Sequence, residues 1–101
     1  MIKEVIPMTV AKTILQQIKA IDPMAMGAWG SKELVDMGDG LKFKTSGMVR
    51  WKGYVYVQYD EGQDLYNVIF AQLRKFEWIE RKRVEGVFFE DLVEIIDKQV
   101  G

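Results

Sequence analysis

Residues 53–70, GYVYVQYDEGQDLYNVIF, hold the strictest alternation of apolar and polar positions in the chain, and a period of two predicts a β-hairpin. Val55, Val57 and Tyr59 fall on one side of the first strand, and Tyr54, Tyr56 and Gln58 on the other. Asp60-Glu61-Gly62-Gln63-Asp64 is a polar, glycine-centred turn. Beyond it Tyr66, Val68 and Phe70 oppose Leu65, Asn67, Ile69 and Ala71. One face of each strand is suited to a core, and the second is expected to stay partly covered.

On either side the period changes to that of a helix. Thr9 is placed to cap VAKTILQQIKAI, in which Val10, Ile14, Ile18 and Ile21, with Leu15 beside them, form one apolar stripe. Asp22-Pro23 stops that helix, because the residue before proline is pushed out of the α region. Near the C-terminus Phe88 or Phe89, Leu92, Val93, Ile95, Ile96 and Val100 make a second stripe after a hinge at Gly86. Glu90 and Asp91 stand in its first turn and Lys98 in its last, the polarity that suits the helix dipole.

The intervening pieces are less regular. Gly27 and Gly30 bracket Ala28-Trp29, which reads as a kinked strand or a loop, and residues 32–37 as a short strand or a single helical turn. Gly38-Asp39-Gly40 is a turn, and Leu41-Lys42-Phe43-Lys44 alternates with both lysines outward. After Phe70 the strand runs towards Leu73, Arg74-Lys75 is a charged turn, and Phe76, Trp78 and Ile79 begin a last strand that ends in ERKRVE. The expected fold class is α+β, a two-layer sandwich. It has an N-terminal helix, an antiparallel sheet of three to five strands, and a C-terminal helix packed on one sheet face.

With 101 residues, 49% hydrophobic and 29% charged, the chain is read as one domain, with residues 1–8 as an extended or flexible N-terminus. A chain of this size buries roughly two thirds of its unfolded surface. The start MIKEVIPMTV is broken by Lys3, Glu4 and Pro7, unlike a signal peptide. No stretch reaches the roughly 20 apolar residues of a membrane span. A cytoplasmic location with no membrane association is therefore expected. The net charge of −1 hides a division: residues 40–53 carry Lys42, Lys44, Arg50 and Lys52 with no acid, whereas residues 87–101 carry Glu90, Asp91, Glu94 and Asp97 against Lys98.

The chain contains neither histidine nor cysteine, which removes the commonest general base, the thiol nucleophile and nearly all zinc chemistry. No glycine motif has the spacing of a phosphate-cradling loop. Asp60, Glu61 and Asp64 share one turn but do not follow the order of a calcium loop, and Asp36 and Asp39 flank a glycine as turn residues commonly do. The expectation is a protein that is not an enzyme and that needs no cofactor or metal.

Basic and aromatic residues carry more information. Lys42, Lys44, Arg50, Trp51, Lys52, Tyr54 and Tyr56 are expected to project from the sheet face away from the helices, with Arg81 and Arg83 nearby. Rings interleaved with cations can grip single-stranded nucleic acid. Tyrosine, tryptophan and arginine are also the residues enriched where proteins meet.

The order of Thr13-Ile14-Leu15, Ala25-Met26-Gly27-Ala28, Leu41 and Phe43, Asp64-Leu65-Tyr66, Val68 and Phe70, then Glu85-Gly86-Val87-Phe88 with Leu92 resembles a family of small bacteriophage and prophage proteins of uncharacterised function. The pattern spans about residues 9–96, with departures at Trp29 and in the basic run near Arg81. What the resemblance implies is a mobile-element product acting in a bacterial cytoplasm. The function expected is non-catalytic: binding a host or phage protein, with self-association through the sheet as a further expectation. The alternative is a single-stranded nucleic-acid-binding module that uses the outer sheet face.

Overall fold

The computed structural model describes residues 9–101. Its elements are α1 (Val10–Ile21), α2 (Ala25–Ala28), β1 (Lys32–Asp36), β2 (Gly40–Lys44), β3 (Tyr54–Asp60), β4 (Leu65–Arg74), β5 (Glu77–Val87), a 3-10 turn at Phe89–Asp91 and α3 (Leu92–Val100). The five strands form one antiparallel sheet in sequence order. The α+β class, the two terminal helices and their packing on one side of the sheet are as the periodicities predict.

The helices close one face of the sheet. Thr9 Oγ1 accepts the Lys12 amide at 3.1 Å and caps α1. Ile14 and Ile18 of α1 and Leu92, Ile96 and Val100 of α3 are buried against Leu41, Phe43, Val55, Val57, Val68 and Phe70. Alternate residues of β2, β3 and β4 supply this layer, whereas β1 is exposed throughout, and that shared face is why a single hydrophobic core forms.

Three readings of the sequence change. Residues 25–28 are neither strand nor loop but a single helical turn, α2, which delivers Trp29 into the core at 1% exposure. The Trp29 ring lies parallel to that of Phe43, with centroids 6.1 Å apart, and its Nε1 donates to Asp97 Oδ1 of α3 at 3.1 Å. Gly30, at φ +61°, completes the bend: a Cβ there would lie 2.0 Å from the Gly47 nitrogen, so this backbone crossing demands glycine.

Secondly, the last strand, expected to end in ERKRVE, continues two residues further. β5 runs through ERKRVE to Val87, with Gly86 inside it rather than acting as a helix hinge. Phe88 and Phe89 precede α3 and are exposed. Thirdly, β4 continues through Arg74, so the turn is Lys75-Phe76 and not Arg74-Lys75. Both turn residues have positive φ, 50° and 67°, the pattern of a two-residue type I′ loop. Of residues 32–37, which read as either strand or helical turn, Lys32–Asp36 form β1, which pairs irregularly with β2 and has Glu33 at positive φ.

Candidate binding surface

The sequence-predicted binding residues divide between the two sides of the sheet. Lys42, Lys44, Tyr54 and Tyr56 lie on the face away from the helices, in two registered pairs, Lys42 with Tyr56 and Lys44 with Tyr54. Arg83 is paired with Ile69 on that face and forms a salt bridge with Glu80 at 2.8 Å. This bridge holds the Glu80 carboxyl below the usual carboxylate range.

Arg50 and Trp51 do not join them. The Trp51 ring packs edge-on against Phe70, with centroids 5.9 Å apart, on the core side of the sheet. Its amide donates to the Val100 carbonyl at 3.1 Å, and Arg50 Nη2 donates to the Lys98 carbonyl at 2.8 Å. The physical reason is the end of α3, whose last carbonyls lack partners within the helix and draw in the loop of residues 45–53. Buried Thr45 fixes that loop, since its hydroxyl accepts the Gly53 amide at 3.1 Å. Arg81 sits at the bulge opposite Phe70 and Ala71 and donates to Gln72 Oε1 at 3.0 Å.

Trp78 takes the place expected of Trp51. Its ring lies 5.5 Å from that of Tyr54 at a 45° tilt, and Lys42 Nζ stands 5.6 Å from both ring centroids. Lys44 Nζ is 5.9 Å from Tyr54. Sequence reasoning placed Trp78 in a strand but not at this surface. The missing signal was the hairpin register, in which Trp78 pairs with Leu73. Beside this group Tyr56 donates to Asp39 Oδ1. Partial burial and the Asp39 carboxylate push the Tyr56 phenol up to about 12, and the same bond lowers the Asp39 carboxyl.

Strand length shapes the rest. β3 pairs with β4 only as far as Tyr54 and Ala71, whereas β4 and β5 stay paired to Arg74 and Glu77. The hairpin therefore projects beyond its neighbour as an arm, and residues 72–74 of β4 are paired on one side only. At its tip Phe76 is 99% exposed, and along the arm Leu73 and Trp78 are 51% and 43% exposed. The notch between the arm and the start of β3 is a hollow of about 320 Å³ lined by Lys44, Tyr54, Gln72, Leu73, Arg74 and the Lys52-Gly53 segment. Three cations and no carboxylate line it. Gln72 Nε2 donates to the Lys52 carbonyl at 3.0 Å across the notch.

Asp60, Glu61 and Asp64 do not converge as ligands, and no group of three or more metal-ligating side chains comes together among the described residues. No helix among them is long and apolar enough to cross a membrane. In comparisons with known proteins, no family model, curated protein or solved structure matches this chain. The class defined by fold and surface is thus an α+β protein with one helix-covered face and one face that ends in a basic notch and an aromatic-tipped arm.

Proposed function

We propose that this protein is a non-catalytic binding module that receives an extended, acidic segment of another polypeptide in the notch beside the β4–β5 arm. The observation that carries this reading is the half-paired edge of β4 over residues 72–74, set among Lys44, Lys52 and Arg74. An open edge offers backbone hydrogen bonds to an added strand, and alternate side chains of that strand find pockets on either face. Leu73 and Trp78 supply apolar contact, and the cations select acidic side chains. The other edges are less suited. β5 carries a bulge and a row of charges, and β1 is short and irregular, devices that discourage strand addition.

A single-stranded nucleic acid is the second reading, favoured by the same three cations next to Tyr54. Stacking needs an open ring face, and Lys42 stands against both Tyr54 and Trp78, so a base would first have to displace it. Two copies meeting notch to notch would bring like charges together, which disfavours self-association through this surface. The phage or prophage origin that the resemblance implies, with a host or phage protein as partner in a bacterial cytoplasm, is part of the proposal.

The test is fluorescence anisotropy with a labelled dodecapeptide alternating glutamate and valine. Its controls are a counterpart with lysine for glutamate and an oligothymidine of equal length. The acidic peptide is expected to bind and to weaken with salt, and Lys44→Glu with Arg74→Glu should abolish binding. Absence of binding by the acidic peptide, or tighter binding by the oligonucleotide, would overturn the reading.

A further inference from the structure

At the opposite end of the same strands lies a hollow of contrary character. It measures about 510 Å³ and opens between the turn joining β3 to β4, the Gln17 turn of α1 and the Phe89–Asp91 turn before α3. Four aromatic rings line it, those of Tyr59, Tyr66, Phe88 and Phe89, together with the carboxylates of Asp64 and Glu90. No lysine or arginine lines it among the described residues.

The two tyrosine rings are inclined to each other rather than stacked. Tyr59 and Tyr66 have centroids 5.7 Å apart and planes inclined at 59°. Both hydroxyls are engaged outside any ligand: Tyr66 donates to Gln17 Oε1 at 2.7 Å, and Tyr59 donates to Asp64 Oδ1. Aromatic rings, the two carboxylates and the Gln17 and Gln63 amides are what the lining offers a visitor. The hydrogen bond to the Asp64 carboxylate also pushes the Tyr59 phenol up to about 12. Phe88 and Phe89 are exposed here because they fall after β5 ends and before α3 begins, and neither enters the core.

We propose that this hollow binds an organic ammonium cation, an alkylammonium group seated against the rings of Tyr59, Phe88 and Phe89 and paired with Asp64 and Glu90. The electrostatics select that class. An aromatic face attracts a cation through its quadrupole, and a nearby carboxylate adds direct attraction. An anion meets two like charges, and a neutral apolar molecule gains contact area but neither electrostatic contribution. The site is independent of the notch at the other end of the sheet, so failure at one leaves the other standing.

The ammonium group can arrive on a small free amine or on a methylated lysine of a peptide, and one experiment separates them. The intact protein is titrated, with NMR detection, with choline, with its uncharged isostere 3,3-dimethylbutan-1-ol, and with a trimethyllysine peptide flanked by glycines. Choline should bind saturably and shift resonances of residues 59–66 and 88–90. The isostere should bind more weakly by about fivefold or more, the scale of a cation–π contribution. Phe88→Leu and Glu90→Gln, both at exposed positions, should each weaken choline several-fold while circular dichroism stays unchanged. A peptide that binds tighter than choline assigns the site to a protein-borne lysine, and equal binding assigns it to a free amine. Equal binding of choline and its isostere, or no saturable binding by any ammonium probe, would overturn the proposal.

Discussion

Val49-Arg50-Trp51-Lys52 and the arm Leu73-Arg74-Lys75-Phe76-Glu77-Trp78 are built from similar material, an aliphatic residue, cations and a tryptophan, yet they end in opposite environments. The first is drawn beneath the end of α3, where Trp51 and Arg50 satisfy its last carbonyls. The second outruns β3 and has no helix above it, so its aromatic residues face solvent. The lesson is that residue type does not determine exposure here. The neighbour does, and the neighbour is set by where a distant helix stops and where an adjacent strand starts.

The sharpest break of that contrast is on the covered side. Trp29→Ala should lower unfolding free energy by about 3 to 5 kcal/mol in urea denaturation, the usual result of emptying a buried tryptophan site. It also leaves Asp97 without its indole partner. A loss below about 1 kcal/mol would mean that Trp29 is not part of the core.

Smaller effects separate the two regions directly. Trp51→Ala should cost about 2 kcal/mol, because the ring is only half-buried against Phe70. Trp78→Ala should cost less than about 1 kcal/mol, since its ring meets one tyrosine and one lysine at the surface. If the two substitutions cost the same, the division between covered and open faces fails. Replacing Lys75-Phe76 by Asn-Gly should instead stabilise the fold by about 0.5 to 1 kcal/mol, because the present residues hold positive φ and the new pair adopts it readily. A decrease in the urea midpoint would show that Phe76 contributes to stability.

The smallest effects are in the pH dependence of the open face. Tyr56 has its phenol raised from 10 to about 12, so its contribution to stability is complete below pH 10 and is lost as pH rises towards 12. Asp39 is shifted the other way, from 3.8 downwards, and its contribution is present above pH 3.8 and fades as pH falls through the folded-state value. Asp39→Asn should bring part of the phenolate absorbance change to lower pH. An unchanged titration would remove Asp39 from the environment of Tyr56.

Much of this architecture was legible in the sequence because periodicity reports burial. The stripe of α1, the hairpin of β3 and β4, and the apolar residues of α3 all repeat at the spacing of their element. α2 is a single turn, too short for a period to register. The end of β5 lies only two residues beyond the expected ERKRVE, but it includes Gly86, a residue type that by itself marks a break rather than a strand position. Lys42, Lys44, Tyr54 and Tyr56 were placed on the correct face by alternation alone. Trp51 was misplaced because its partners are Phe70 and the end of α3, far along the chain. The notch could not be foreseen, since it arises from β4 being longer than β3.

The most direct test of the central claim is to map the alternating glutamate-valine peptide on the protein by hydrogen exchange, using the wild-type chain, Trp78→Ala and Trp51→Phe. The predicted result is protection of residues 72–74 by the peptide, lost in Trp78→Ala and retained in Trp51→Phe. Protection confined to the helices, or binding that depends on Trp51 rather than Trp78, would contradict the assignment of the open face as the contact surface.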